Sequence, residues 1–214
     1  MPLLEIHTQS ECRWGLWRID ETWLELLDGL ERRDVYQPFL ESVRAEGRRT
    51  EWLAVRALLR AILGYEPTVN YRPEGYPEVD GWHVSFSHTR HYAAAICSRD
   101  TVVGIDIERF RPRIVGLRDR FLDRDELALI GGPNTDDVRR LTVCWSAKEA
   151  AFKMLRLGSS DWLRGVRIVA YEPASHQLIV HETLTPNTYT FKIDFSLASD
   201  YVLTWGRRGN VVCF

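Results

Sequence analysis

"VVGIDIERF", residues 102–110, governs how the rest of this chain is read. It is short and β-branched at Val102, Val103, Ile105 and Ile107, which predicts a strand. In a strand, residues i and i+2 point to the same face. Asp106 and Glu108 therefore project together, while Ile105 and Ile107 are expected to face the core. Two neighbouring carboxylates repel each other unless a cation lies between them. Hard oxygen ligands suit Mg²⁺, which takes one or two carboxylates and fills its remaining positions with phosphate and water. A solvated strand face with Arg109 as ion partner explains the same pair without any ligand.

Outward from that strand, the N-terminal half opens with a predicted strand pair, "LLEIHTQ" and "CRWGLWRI". Residues 20–47 have helical periodicity, with a break expected near Gln37-Pro38. "RRTEWLAVRALLRAILG" (48–64) is the clearest helix, its apolar stripe running from Trp52 to Leu63 and Gly64 suiting its C-terminal stop. After the turn-rich "YRPEGYPEVDG" come the strands "WHVSFSH", "YAAAICS" and "TVVGIDIE", the last two joined by a tight turn at Arg99-Asp100.

The C-terminal half repeats that plan. "LRDRFLDRDELALIG" and "DDVRRLTVCWSAKEAAFKMLRLG" read as helices, and four strands follow: "VRIVAYEP", "HQLIVHET", "TYTFKIDFS" and "YVLTWGRR". The expected fold is α+β, with two similar α/β lobes as a pseudo-repeat, residues 1–101 and 102–214. Each lobe would pack helices on a mainly antiparallel sheet, with the active site in the cleft between them.

Composition narrows the function classes. A formal net charge of −2 argues against a general polyanion binder, so no nucleic-acid partner is expected. No apolar run is long enough to span a membrane. The N-terminus lacks a basic start followed by an apolar core, and the cysteines Cys12, Cys97, Cys144 and Cys213 show no metal-binding spacing. A cytoplasmic protein with reduced thiols is the expectation. Only three of 28 basic residues are lysine, and two of them, Lys148 and Lys153, fall in "KEAAFK".

Further groups could carry chemistry. On a helix, Glu149 and Lys153 share a face, as a ligand or base beside a phosphate partner, or as an ordinary surface ion pair. Ser146 with Glu149 three residues on also fits a helix-start capping box. Ser87 and His88, at a strand end, could donate to a phosphate. Arg48, Arg49 and Arg56 could bind a phosphate or form the wet side of an amphipathic helix.

The order and spacing of "RRTEWLAVR" (48–56), "RPEGYP" (72–77), "SFSH" (85–88), "GIDIE" (104–108) and "WSAKEAAFK" (145–153) resemble the 4'-phosphopantetheinyl transferase superfamily, in its surfactin-type, two-lobe branch. That resemblance implies transfer of the phosphopantetheine arm of coenzyme A to a serine of an apo acyl or peptidyl carrier protein, releasing 3',5'-ADP, with Mg²⁺ as cofactor. It implies Asp106, Glu108 and Glu149 as metal ligands, with Glu149 or a metal-bound water as base. Lys153 and His88 would hold pyrophosphate oxygens, Arg72 and Ser87 would contact coenzyme A, and Arg48 with Arg56 would bind its 3'-phosphate, Arg49 being an alternative to Arg48. Ser85 and Thr89 depart from the family's usual asparagine and serine. A two-lobe chain implies a monomer, and "RFRPRIVGLRDRF" (109–121), with five arginines, is expected to dock an acidic carrier. The rival readings are a Mg²⁺-dependent nuclease and a non-catalytic carrier or coenzyme A binder. Asp106→Ala is expected to abolish transfer without disturbing the fold, since no ion pair is expected to break.

Overall fold

The computed structural model describes residues 3–9, 12–132, 135–158 and 162–209. Its packing divides the chain into two units, Met1–Asn70 with Pro77–Asp100, and Tyr71–Tyr76 with Thr101–Phe214. Helices accompany antiparallel sheets throughout, a mixed α/β architecture. Among the described residues no helix is long and apolar enough to cross a membrane. Among the described residues Cys12, Cys97 and Cys144 form no disulfide, and Cys213 lies outside the described residues.

In the first unit β1 (Leu3–Gln9) and β2 (Cys12–Arg18) pair as expected and precede α1 (Trp23–Asp28), α2 (Arg33–Ser42) and α3 (Glu46–Leu63). The short β3 (Asn70–Tyr71) and β4 (Pro77–Glu78) come next, then β5 (His83–Thr89) and β6 (Tyr92–Ser98). The sheet order is β1-β2-β6-β5. Leu53, Leu58, Leu59 and Ile62 of α3 share a buried cluster with Ala93, Ala95 and Cys97 of β6. Those short β6 side chains leave room for the leucines above them. Gly64 ends α3 in the left-handed region, at φ +81°, its N–H donating to the Arg60 carbonyl at 2.9 Å.

The expected break at Gln37-Pro38 is displaced: the helix stops at Gly29 and restarts at Arg33, with Pro38 inside α2. Glu66 is the reason. Its carboxylate accepts the backbone N–H groups of Glu31 and Arg32 at 2.8 and 3.0 Å and the Tyr36 hydroxyl at 2.7 Å. A side chain 34 and 35 residues away thus satisfies donors at the new helix start.

The second unit begins with β7 (Val103–Arg109) and a 3₁₀ turn at Pro112–Leu117. It continues through α4 (Arg118–Phe121), α5 (Arg124–Leu129), α6 (Val138–Leu155) and α7 (Trp162–Gly165). The four expected strands follow as β8 (Val166–Glu172), β9 (Gln177–Glu182), β10 (Thr190–Leu197) and β11 (Tyr201–Arg207), in sheet order β7-β11-β10-β9-β8. The turn at Arg99-Asp100 closes no hairpin, because β6 and β7 belong to different sheets. The single helix expected over 117–131 is two, because Asp123 and Glu126 form a capping box that starts α5.

Glu126 has a second task. Its Oε1 accepts the Ile168 N–H and lies 2.7 Å from Lys148 Nζ, and both side chains are almost fully buried. Lys148 also donates to the carbonyls of Phe121 and Leu163. Burial pulls the Lys148 pKa down against the opposing pull of Glu126. One buried, bonded pair thus ties α6 to α5 and β8.

The contact that sets the unit's geometry lies where α6 crosses β7. Gly104 and Gly206 are register partners on β7 and β11. A Cβ on Gly104 would fall inside contact distance of the Ala150 carbonyl and 2.8 Å from Met154 Cγ. The small α6 residues Ala147, Ala150 and Ala151, all fully buried, complete this close approach. Because the obstructing atom is backbone, Gly104→Ala should destabilise the protein by about 1–3 kcal/mol or more, read as a lowered urea midpoint. An unchanged midpoint would mean that α6 can retreat freely.

Candidate active site

Asp106 occupies the middle of β7, on the same strand face as Gly104. Lys153 Nζ donates to Asp106 Oδ1 at 2.8 Å and to the Ile105 carbonyl at 2.9 Å, and Ser146 Oγ donates to Asp106 Oδ2 at 2.8 Å. The Thr204 hydroxyl, on the β11 residue paired with Asp106, is 2.8 Å from Ser146 Oγ. Glu108, two residues on, accepts a hydrogen bond from the Trp145 indole N–H at 3.2 Å. Glu149 lies between Ser146 and Lys153 on α6 and accepts no hydrogen bond among the described residues.

Asp106, Glu108, Glu149 and Lys153, the second-half residues singled out from sequence, therefore lie on one pair of packed elements. The expectation of a wet strand face is corrected. Asp106 is only 4% exposed, because α6 covers the carboxylate side of β7 while Ile105 and Ile107 are buried on the other. The Glu149–Lys153 surface pair gives way to Lys153–Asp106. The Ser146–Glu149 capping box is also overturned: α6 starts nine residues before Ser146, at Asp137, whose side chain caps the Arg139 and Arg140 N–H groups. Asp106→Ala would strand the lysine, so it is no longer expected to spare the fold.

The electrostatics are unbalanced, with three carboxylates facing one lysine. Burial, and then Asp106, push the Glu149 pKa up to about 7, with Lys153 opposing and Glu108 adding. Glu108 is likewise raised, by burial first and Asp106 second, against the Trp145 hydrogen bond, Lys153 and Arg111. Hard oxygen donors with excess negative charge fit a divalent cation in their chemistry. Among the described residues, however, no three His, Cys, Asp or Glu side chains converge closely enough to hold one. Both Asp106 oxygens are already bonded, and Lys153 supplies the neutralising charge.

The first-unit candidates divide differently. Arg48 is exposed and makes no ion pair among the described residues. Arg49 donates from Nε to the Val43 carbonyl at 2.6 Å and stacks over Trp23. Arg56 is only 3% exposed, its guanidinium 3.5 Å from the Trp52 ring centroid, which corrects the reading of a wet helix side. His88 Nδ1 lies 3.2 Å from Glu51 on α3, and Ser87 precedes it on β5. Arg72, in the second unit, opens the turn closed by Gly75 N–H to its carbonyl at 2.8 Å, with Gly75 at φ +94°.

Trp145, Ser146, Thr204, Lys148 and Glu126 were not read as site or anchor residues from sequence. Helical spacing could have found Ser146, since positions 146, 149 and 153 are i, i+3 and i+7 on one face. Thr204 reaches the site only through the β7–β11 register, which the sequence does not display.

Residues 102–205, from the start of β7 almost to the end of β11, match the model of the 4'-phosphopantetheinyl transferase superfamily. No curated protein matches the chain. The family match supports phosphopantetheine transfer as the general activity, and the matched stretch contains Asp106, Glu108, Glu149 and Lys153.

The raised Glu149 pKa has a measurable sign. Its ordinary value is 4.5, so between about pH 4.5 and 7 the folded state holds a proton that the unfolded state releases. Stability should then fall as pH rises through that window. In chelator-containing buffer, Glu149→Gln should remove up to about 3 kcal/mol of that fall, measured by urea unfolding at pH 5 and 8. Identical pH slopes for the two proteins would contradict the shift.

Proposed function

We propose that the protein transfers the 4'-phosphopantetheine group of coenzyme A to a serine of an apo acyl or peptidyl carrier protein, releasing 3',5'-ADP with the help of Mg²⁺. The observation that carries this reading is the constellation of Asp106, Lys153, Glu149 and Glu108 on β7 and α6, inside the matched segment. Two α/β units in one chain support the two-lobe, surfactin-type branch and a monomeric enzyme, and a cytoplasmic location belongs to the same proposal.

In this proposal the serine oxygen forms a bond to the pantetheine-side phosphorus as the bond from that phosphorus to the 3',5'-ADP oxygen breaks. The serine proton leaves to a base, a role assigned to Glu149 or to a metal-bound water. Lys153 would neutralise charge on the departing pyrophosphate oxygen. Mg²⁺ would need Asp106, Glu108 and Glu149 to draw together and Asp106 to exchange a bonded oxygen, and when bound it would offset the pyrophosphate charge. His88, Ser87 and Arg72 are assigned to coenzyme A. Arg48, exposed and unpaired among the described residues, is preferred to Arg49 for the 3'-phosphate, with Arg56 beside it in the same helix.

The carrier is assigned to residues 109–121. Of the five arginines there, Arg109 pairs with Asp200 and Arg118 with Asp119 and Asp136. Arg111 and Arg113 are exposed and make no ion pair among the described residues, which suits them to an acidic partner.

Incubation with coenzyme A, Mg²⁺ and a panel of apo-carriers should add one phosphopantetheine arm, read by intact mass. Absence of the added mass on every carrier would overturn the proposal. Asp106→Asn, which preserves the shape and a hydrogen-bond acceptor, should slow transfer by about two orders of magnitude. Full activity in that variant would remove Asp106 from the site. Arg111→Glu with Arg113→Glu should raise the carrier KM about tenfold and leave that for coenzyme A unchanged. Equal carrier KM values would move the docking surface elsewhere.

A further inference from the structure

A second concavity lies on the second unit, with a volume of about 670 Å³, within the range of small-molecule sites. Its apolar lining consists of Phe121 and Leu122, both almost fully buried, and the half-buried Leu163, and Arg120 and Arg164 stand among the lining residues. Glu126, also in the lining, carries the buried ion pair with Lys148.

The charges around this pocket can be accounted for individually. Asp119 pairs with Arg118 at 3.2 Å, Asp123 with Arg167 at 2.7 Å, and Glu126 with Lys148 at 2.7 Å. Each lining acid thus has a base within reach, although Arg118 is shared with Asp136 and Arg167 with Asp125. Arg120 and Arg164 have no acid partner among the described residues. Two guanidiniums are left over beside an apolar wall. Guanidinium is a planar, permanently charged donor that matches carboxylate and phosphate oxygens in pairs. The bases beside the lining acids reduce the local repulsion against such an anion.

We infer that this pocket binds a small amphiphilic anion, its carboxylate or phosphate head on Arg120 and Arg164 and its apolar body against Phe121, Leu122 and Leu163. The site is separate from the Asp106 cluster, and the inference does not rest on the proposed transfer activity. It nonetheless lies one aromatic ring away from that cluster. Phe121 packs edge-on against Trp145 with centroids 5.3 Å apart, and Trp145 donates to Glu108. A large acidic protein surface could also meet two arginines, but it would have no use for the apolar lining of a concavity, so the small ligand is favoured.

The test is calorimetric titration of the whole protein at fixed ionic strength with hexanoate, hexyl phosphate, hexanol and inorganic phosphate. Saturable binding is expected for one or both of the hexyl anions, weakened about tenfold or more by Arg120→Gln with Arg164→Gln. Arg48→Gln, in the first unit, should leave that affinity unchanged. The two arginines are exposed and tie no element to another among the described residues, so thermal melting of the double variant should coincide with that of the parent. Comparable responses to the two anions would assign the site to oxyanions in general, and preference for one would name the head group. Binding of hexanol as tight as that of the anions, or of inorganic phosphate as tight as that of hexyl phosphate, would overturn the inference. So would a double variant that binds normally, or a parent that binds neither anion.

Discussion

The second unit depends on the close approach of α6 to β7 over Gly104. A helix normally rides on side chains, but here its backbone comes down to the strand because neither Gly104 nor its partner Gly206 interposes one. The alanines of α6 preserve the contact along the helix. At that separation Lys153 reaches both the Asp106 carboxylate and the strand carbonyl before it, while Ser146 closes on the other carboxylate oxygen. A side chain at position 104 would push apart the two elements that hold the candidate site.

Two lysines five residues apart on α6 are used in opposite ways. Lys148 is fully buried and bonded to Glu126 and two carbonyls. A buried charge costs several kcal/mol unless it is paired and its hydrogens are satisfied, and these partners meet that condition. Lys153 is 27% exposed and holds one end of a carboxylate cluster that has more negative charge than it can offset. The first lysine secures α6 against α5 and β8, and the second presents a charge at the surface of that assembly. The strongly bonded pair supports the less balanced one.

The same division appears in the first unit. Arg56 and Arg49 are held by stacking on Trp52 and Trp23 and by carbonyl hydrogen bonds. Stacked guanidiniums keep their charge while losing conformational freedom. Arg48, one position before Arg49, faces water. Adjacent arginines of identical chemistry thus differ in what they can do for a ligand, and the difference comes from the aromatic side chains around them.

Periodicity made most elements legible. The apolar stripe of α3, the alternation of β9 and β10, and the turn chemistry around Gly75 are local properties of the backbone, and they match the fold. The motifs "GIDIE" and "WSAKEAAFK" also contain Asp106 and Lys153, which the structure pairs. Breaks between helices were less legible. Glu66 relocates one and Asp123 with Glu126 create another, and both act through side-chain bonds that a window of neighbours does not contain. What the sequence by itself determined was which residues carry charge, and on which face of a strand or helix each one sits. Only the tertiary structure decided that α6 would cover the carboxylate face of β7, burying Asp106 and pairing it with Lys153. The reason is physical. Strand alternation separates two faces but does not say which one α6 will cover, and that was settled by the missing side chain at Gly104.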